Sequence, residues 1–353
     1  MKKMFALFLA LILATACCCC FGEAGAETPE TEAITEPELQ EELPEETPEA
    51  STAPDHITSG DWELAPLENG TAMIVRYTGA DKELDIPEEI DGRQITAVGD
   101  RAFEKCTKLR RVSIPVGITE IGANPFMLCS ALKEIIVAAD HPCFEVRSGV
   151  LYGKADRRLI CYPCAFEETA FAIPEDVEII GSMAFCRNES LTGITIPAGV
   201  KQIESGAFYE CLSLEAVTVP DGIAAIPDKA FSGCAGLVSV ILPDSVTEIG
   251  NWAFFGCTAL PEIHIPAGVT AIGYCAFAYC ETLDAVTVPE GVKRIATATF
   301  QNCGKLKEAV IPAGVEEIGM DAFTGCFKIT VFTPADSYTA KYCGYYGIPC
   351  EIR

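Results

Sequence analysis

Residues 207–226 read AFYECLSLEAVTVPDGIAAI, and the same arrangement of apolar residues returns along the chain at a fixed interval. The second residue of each unit is a phenylalanine, and most neighbouring phenylalanines of this set are 23 residues apart. The units contain Phe103, Phe126, Phe185, Phe208, Phe231, Phe254, Phe277, Phe300 and Phe323. Nine copies in one register predict a repeat protein, in which each unit is one element of a stack.

The consensus of these units, A-F-x-x-C-x-x-L-x-x-V-x-I-P-x-G-V-x-x-I-G, indicates the shape of one coil. Its Ala, Phe, Cys and Leu positions fall on one face of about two helical turns. The alternation in V-x-I predicts a short strand with its apolar side inward, and the proline after it, which cannot donate to a strand ladder, marks the end of that strand. We therefore predict a repeat solenoid of about 23-residue coils, each a short strand plus a short helix or turn, stacked so that each coil covers the core face of the next.

This unit resembles the BspA-type leucine-rich repeat of bacterial surface proteins over roughly residues 60–353. The resemblance implies a curved right-handed superhelix whose strands line the concave side. It also implies a role in adhesion or protein–protein contact outside the cell, and it indicates no particular ligand.

Interruptions of the register indicate the domain organisation. Between Phe126 and Phe185 the chain is 13 residues longer than two units, and two apolar segments there, residues 150–152 and 159–162, flank a turn, which predicts a β-hairpin insertion. We interpret the hairpin as a decoration of one coil, with a dedicated binding loop as the alternative. The predicted segments are a signal peptide (1–26), a disordered acidic spacer (27–56), an N-terminal cap (57–94), leucine-rich repeats (95–332, with the insertion at about 138–168) and a C-terminal cap (333–353).

The N-terminus has the features of an export signal. Lys2 and Lys3 precede an apolar run at residues 5–16, which is shorter than the roughly 20 residues that span a bilayer. We favour cleavage by signal peptidase after Ala26, and the alternative is a lipoprotein with a lipid anchor at Cys17. Both routes predict an extracellular or cell-surface protein without a transmembrane span.

Acidic residues dominate the charge of the chain. Lys and Arg number 25 against 51 Asp and Glu, a formal net charge of −26, and ten of the glutamates lie in residues 27–53, which contain no Lys or Arg. Like charge with low hydrophobicity predicts disorder in that spacer. The folded remainder is acidic as well, which argues against nucleic acid as a partner because phosphate contacts need a positive surface.

Eight of the 19 cysteines occupy one repeat position, three residues after the phenylalanine. They are Cys106, Cys129, Cys211, Cys234, Cys257, Cys280, Cys303 and Cys326. Asn188 takes this position in one coil, which indicates a small buried side chain in contact with nearby backbone. We predict buried free thiols. The alternatives are disulfides along this row and, least favoured, zinc, whose ligands must converge tetrahedrally; a Cys343–Cys350 disulfide is a separate possibility for the C-terminal cap.

The sequence contains no recognisable catalytic pattern. Its three histidines, His56, His141 and His264, are far apart in the repeat order, and HExxH, GxSxG and phosphate-binding glycine motifs are missing. Cys161 and Cys164 have CxxC spacing but lie in the predicted hairpin, outside the βαβ context of a redox motif. Because catalysis needs non-repeating residues that converge on a pocket, we predict that the protein is not an enzyme and uses no cofactor or metal.

The strand residues eight and ten positions after each phenylalanine are predicted to face outward. The candidate partner-binding face consists of Arg111, Ser113, Glu134, Thr195, Thr218, Ser239, Glu262, His264, Thr287 and Glu308. Over all coils the outward positions are small, hydroxylated and partly apolar with few charges, which suggests a docking strip on an acidic protein; the alternative is that such residues simply suit strands. The leading hypothesis is an exported module that binds an extracellular protein or glycan, and the alternative is a structural envelope element without a specific ligand.

Overall fold

The structure, a computed structural model, describes residues 56–353. The predicted signal peptide, all of the acidic spacer except His56, and Cys17 lie outside these residues. Within them, coils at the predicted spacing of about 23 residues stack into a β-solenoid, which confirms the predicted fold class.

The strands are short because each coil contributes only a few residues to any one sheet. The strands of the first half are β1 (Ile57–Ser59), β2 (Trp62–Pro66), β3 (Ala72–Tyr77), β4 (Glu83–Asp85), β5 (Glu89–Ile90), β6 (Arg93–Val98), β7 (Arg111–Ile114), β8 (Glu120–Ile121), β9 (Glu134–Val137), β10 (Phe144–Arg147), β11 (Val150–Gly153) and β12 (Arg158–Cys161). Those of the second half are β13 (Ala170–Ala172), β14 (Ile179–Ile180), β15 (Gly193–Thr195), β16 (Gln202–Ile203), β17 (Ala216–Thr218), β18 (Ala225–Ile226), β19 (Ser239–Ile241), β20 (Glu248–Ile249), β21 (Ala271–Ile272), β22 (Ala285–Thr287), β23 (Arg294–Ile295), β24 (Glu308–Val310), β25 (Glu317–Ile318), β26 (Thr330–Thr333) and β27 (Cys350–Ile352).

Two sets of parallel ladders run along the stack. The first set contains the V-x-I strands in three sheets, β4-β7-β9, β13-β15-β17-β19 and β22-β24-β26-β27. The second set contains mostly two-residue strands, 17 and 18 positions after the aromatic residue of their coil, such as β18-β20-β21 and β23-β25. Equivalent residues of successive coils pair directly, as Ala216 does with Ser239, so the 23-residue repeat of the sequence is also the register of the sheets.

The segment around each phenylalanine is a succession of turns, so of the two predicted forms, a short helix or a turn, the turn is found. Residues two before and two after the phenylalanine have positive φ in coil after coil, for example 53° at Glu210 and 58° at Lys229. A left-handed residue cannot continue a right-handed helix, so the chain closes separate turns. The Phe208 N–H donates to the Ala230 carbonyl of the next coil at 2.9 Å, whereas the Cys211 N–H donates back to the Phe208 carbonyl at 3.2 Å.

Aromatic rings form the centre of the stack. All nine repeat phenylalanines are buried, and from Phe185 to Phe323 consecutive ring centroids are 5.0–5.7 Å apart. Tyr162 lies 23 residues before Phe185, stacks on it at 5.0 Å and donates its N–H to Ala184 as the phenylalanines do to their neighbours. A search for any aromatic residue at the repeat interval, instead of phenylalanine alone, would have identified this coil.

The buried apolar residues form two clusters, which meet at the hairpin β11–β12. We call them the N-terminal core, from Leu64 to Cys161, and the C-terminal core, from Val150 to Cys343. Successive strand residues point to opposite faces, and the hairpin therefore contributes to both. Val150, Tyr152, Leu159 and Tyr162 pack in the C-terminal core, and Leu151, Ile160 and Cys161 pack in the N-terminal core. The hairpin β11–β12 therefore lies inside the stack, between the two cores, and is not an exposed loop. We call it the hairpin wall.

The repeat cysteines are free thiols, as predicted, and all of them except the half-buried Cys106 are buried. From Cys129 onward each thiol lies 3.0–3.3 Å from the carbonyl oxygen of the phenylalanine 26 residues earlier. Asn188 fills the same position and donates from its amide to three carbonyls, those of Pro163, Cys164 and Phe166. All cysteines of residues 56–353 are free, including Cys343 and Cys350, so neither disulfide alternative is found.

Both ends of the stack are covered. At the start, β1, β2 and β3 form an antiparallel sheet, which continues through β6 into the parallel ladder of β8. At the end, helix α1 (Tyr338–Tyr346) is capped by Ser337, whose Oγ accepts from the Ala340 N–H at 3.0 Å. The closing strand β27 pairs in parallel with β26. These elements cover the apolar end faces that a bare coil would expose to water.

Candidate functional site

The outward surface of the V-x-I strands and of residues 262–264 is the strand face. In each strand the apolar residues point into the core, and the residues between them point outward. Val217 and Val219 are buried, for example, while Ala216 and Thr218 are exposed. The alternation that predicts the strands therefore also positions the candidate binding residues.

Most of the candidate residues lie on this face as exposed side chains. Those that are exposed are Glu134, Thr195, Thr218, Ser239, Glu262, His264, Thr287 and Glu308. Arg111 and Ser113 are only half-buried, and Arg111 forms ion pairs with Glu83 at 3.6 Å and Asp85 at 3.4 Å. The Arg111 guanidinium is therefore already neutralised by its own chain, which makes it the weakest candidate for contact with a partner.

The strand face is interrupted at two places. The first interruption lies between β9 and β13, where the hairpin enters the stack. The second lies between β19 and β22, where residues 262–264 form no strand, although the pattern of Ile263 and Ile265 before Pro266 predicts one. The strand prediction is wrong for this coil because Pro261 precedes it, and proline has no N–H with which to begin the ladder.

A groove of about 800 Å³ lies at this second interruption. We call it the central groove; it is lined by residues of the segments 238–241, 262–267, 285–290 and 310–312. Glu262 and Glu290 are its charged lining residues, and His264 lies between the two flanking sheets. A second hollow of about 490 Å³ lies over β13, β15 and β17, beside Thr195 and Thr218. Sequence analysis identified several of these side chains and missed the groove, because the break at Pro261 was not recognised.

His141, Cys161 and Cys164 are buried side chains away from the strand face. His141 is buried, its Nδ1 accepts from the backbone N–H groups of Cys143 and Phe144, and its Nε2 lies 3.2 Å from the Pro115 carbonyl. Burial raises the pKa of the Cys161 thiol well above its usual range and that of Cys164 to about 11, so both are protonated at neutral pH. No cluster of three or more His, Cys, Asp or Glu side chains in residues 56–353 has the arrangement of a metal site.

None of the helical structure between residues 56 and 353 has the length and hydrophobicity needed to cross a membrane.

The sequence matches one family profile. The BspA type leucine rich repeat region is found in six copies within residues 82–148, 160–240 and 224–342, which together make up more than half of the chain. No curated protein matches the sequence.

Several solved structures are similar to this chain, among them the following two. A leucine rich cell surface protein from Faecalibacterium prausnitzii A2-165 is 32% identical, and the match covers 80% of this chain and 77% of that one, with a TM-score of 0.44. A leucine-rich repeat protein from Eubacterium ventriosum is 19% identical over 76% of this chain and 93% of that one, with a TM-score of 0.58, which supports the fold. Because the family profile matches more than half of its residues, the chain belongs to the BspA-type leucine-rich repeat family.

Proposed function

We propose that this protein is exported and uses its strand face to bind a protein or glycan partner outside the cell. Its family membership and its similarity to a protein described as a leucine rich cell surface protein support this function. The export signal at residues 1–26 supports the location, with cleavage after Ala26 favoured over lipidation of Cys17. Binding without catalysis remains our prediction.

One observation carries this proposal. The outward strand positions of successive coils present small, mostly uncharged side chains, including Thr195, Thr218, Ser239 and Thr287, on a chain with a net charge of −26. The exposed positions of the second ladders include three acidic residues, Glu120, Glu248 and Glu317, beside the basic Arg294 and the neutral Gln202, Ala225 and Ala271. A comparatively neutral strip on an otherwise acidic surface can approach a partner without strong charge repulsion or a large desolvation penalty.

The test introduces charge at the centre of the strip. The Thr195→Lys/Thr218→Lys variant places two ammonium groups on adjacent coils, and the matched control, Thr247→Lys/Thr270→Lys, places the same charges on exposed threonines that directly precede β20 and β21 of the second ladders. Binding is measured against panels of immobilised extracellular proteins and glycans, with thermal unfolding recorded for each variant. We expect the first variant to lose partner binding by at least about tenfold and the control to retain it, with little change in melting temperature for either.

Equal binding by both variants and the wild type would reject the strand face as the binding surface. Failure of the wild type to bind any member of the panels in a saturable manner would favour the structural alternative without a specific ligand. The mass of the mature protein, measured intact, distinguishes cleavage after Ala26 from a lipidated Cys17.

A further inference from the structure

We propose that the central groove binds an extended, lysine- or arginine-containing peptide segment of the partner. This inference rests on the proposed function, because it assigns the contact with a protein partner to one place on the strand face. It is supported by three features of the groove: its backbone, its apolar surface and its charge.

The backbone of the groove differs from that of the other coils. Elsewhere the residue seven positions after the phenylalanine donates its N–H to the equivalent residue of the preceding coil, as Val238 donates to Glu215 and Lys307 to Asp284, both at 2.8 Å. Pro261 occupies this position and has no N–H, so the Val238 carbonyl does not receive this bond. In the described part of the chain, residues 262–265 form no backbone hydrogen bonds with residues 238–242 or 285–288.

These groups can be satisfied by a ligand. Peptide N–H and C=O groups are strong hydrogen-bonding groups, and an extended peptide presents both at each residue. Extended segments commonly bind to sheet regions whose backbone groups are not paired within the protein. The central groove lies at one of the two interruptions of the regular ladder on the strand face, the other being the hairpin between β9 and β13.

The wall of the groove exposes two large aliphatic side chains. Val238 is 49% and Ile241 58% exposed, although both lie beside buried neighbours in the same strand region. Exposed aliphatic groups next to a hollow favour contact with apolar side chains of a ligand. A peptide with alternating side chains can place apolar groups on these residues and polar groups toward the other wall.

The charge of the groove is negative. Glu262 and Glu290 line it, both are exposed, and no Lys or Arg is present among its lining residues, all of which lie in the described part of the chain. No Phe, Tyr or Trp is present there either, so a sugar ring has no aromatic face on which to stack. Charge complementarity therefore favours a cationic peptide over an acidic peptide or a neutral glycan.

The first experiment measures binding of two fluorescein-labelled peptides by anisotropy at physiological ionic strength. One short peptide alternates Lys and Val, and its charge-reversed counterpart alternates Glu and Val. The wild type is compared with Glu262→Gln/Glu290→Gln and with a control of equal net charge, Glu120→Gln/Glu248→Gln, whose residues are exposed on the second ladders. We expect the lysine peptide to bind the wild type and the control equally, to bind the groove variant about tenfold more weakly, and the glutamate peptide not to bind.

The second experiment restores the missing donor. In Pro261→Thr the new residue is the one found at the equivalent position of another coil, Thr192, whose N–H donates to Thr169 at 2.8 Å. We expect slower hydrogen exchange at residues 262–265, because the ladder closes, and lysine-peptide binding several-fold weaker than in the wild type. Slower exchange with unchanged binding would overturn the role of the open backbone.

The proposal is overturned if the lysine peptide binds both glutamine variants equally, or if the glutamate peptide binds as well as the lysine peptide. The inference and the proposed function can fail separately. Loss of partner binding in Thr195→Lys/Thr218→Lys, with no binding of the lysine peptide to the wild type, rejects the groove and retains the strand face. Specific binding of the lysine peptide, with partner binding unaffected in that variant, supports the groove and rejects those threonines as the contact.

Discussion

The N-terminal and C-terminal cores use the same repeat but are closed in different ways. The N-terminal core lies between the antiparallel sheet of β1, β2 and β3 and the hairpin wall, whereas the C-terminal core is a long run of coils between that wall and helix α1. In both, each coil is covered by the next, and only the ends need a different element. The repeat therefore determines the length of the protein, and the irregular segments close the ends of each core.

The chain carries a natural reporter for each core. It contains two tryptophans. Trp62 packs on Tyr77 at the start of the N-terminal core, with ring centroids 4.5 Å apart, and Trp252 packs on Tyr274 beside the C-terminal core, with centroids 4.1 Å apart. The Trp252→Phe and Trp62→Phe variants therefore report the unfolding of the N-terminal and C-terminal cores separately.

The largest expected effect is alkaline unfolding. Burial raises the pKa of the thiols at Cys211, Cys234, Cys257 and Cys280 in four successive coils, to about 12 for Cys234 and Cys280. The folded state therefore holds these protons more tightly than the unfolded state, whose thiols titrate near 9.0. Their stabilising contribution is complete below about pH 9 and is lost as the pH rises toward about 12. The pKa values of Cys129 and Cys161 in the N-terminal core are raised as well, but these thiols are fewer, so we expect Trp252 fluorescence to change at a lower pH than Trp62 fluorescence.

Coincident alkaline transitions of the two tryptophans would contradict this order and would show that the hairpin wall couples the cores into one cooperative unit. The control is the urea transition of the same variants at pH 7, where the thiols are protonated in both states and their titration has no effect.

The next largest effect is expected from substitutions of the stacked repeat phenylalanines. Phe231 is stacked between Phe208 and Phe254, at 5.2 and 5.4 Å. Phe126 stacks on one repeat phenylalanine, Phe103, at 5.3 Å. We expect Phe231→Ala to lower the free energy of unfolding by about 4 kcal/mol and Phe126→Ala by about 3 kcal/mol, as measured by urea denaturation. The control Phe231→Leu should cost less than half as much as Phe231→Ala, and equal losses for both alanine variants would show that ring stacking adds nothing to burial.

Substitutions in the hairpin wall should have effects on stability that depend on which core the side chain faces. Leu159 and Ile160 are neighbours in β12 and are both buried, but Leu159 packs in the C-terminal core and Ile160 in the N-terminal core. Leu159→Ala and Ile160→Ala should each cost about 3 kcal/mol of unfolding free energy. Hydrogen exchange should accelerate mainly in residues 171–240 for the first and in residues 95–137 for the second. The same exchange pattern in both variants would contradict the division into two cores.

The smallest effect compares the two residue types at the cysteine position. Asn188 bonds three carbonyls and two backbone N–H groups, whereas Cys234 donates one weak bond to the Phe208 carbonyl. Asn188→Ala leaves several buried groups without partners and should cost about 2 kcal/mol of unfolding free energy, and Cys234→Ala about 1 kcal/mol. Both are measured by urea denaturation under reducing conditions, and a larger loss for the cysteine variant would contradict this assignment.

Much of the fold could be predicted because local periodicity and burial agree. Val217 and Val219 alternate with Thr218, and this pattern alone specifies the strand, its inward side and the exposed candidate residue. The choice between a short helix and a turn around each phenylalanine could not be made from the sequence, because the apolar spacing fits both. The left-handed conformations of Glu210 and Lys229 are imposed by the closing of each coil, and neither residue type favours them locally.

The candidate site was predicted in part. The exposed positions of Thr195, Ser239 and Thr287 follow from strand alternation. The central groove does not, because the N–H that Pro261 lacks would bond to Val238, 23 residues earlier, whereas the Pro261 carbonyl still accepts from the Asp284 N–H, 23 residues later. Pairing over such a distance depends on the stack as a whole, which the pattern within one repeat does not describe.

The sequence by itself determined that this protein is a stack of coils, because an apolar pattern repeated at one interval has no other way to bury every copy. It also determined which residues of each strand face water. The tertiary structure alone decided where the stack is divided into two cores and where the central groove interrupts the strand face. The hairpin serves two cores because alternate side chains emerge from opposite sides of a strand that has a neighbour on each side. The groove opens at residues 262–265 because the N–H that Pro261 lacks would bond to the preceding coil. The loss of this bond has an effect only where the coils are stacked.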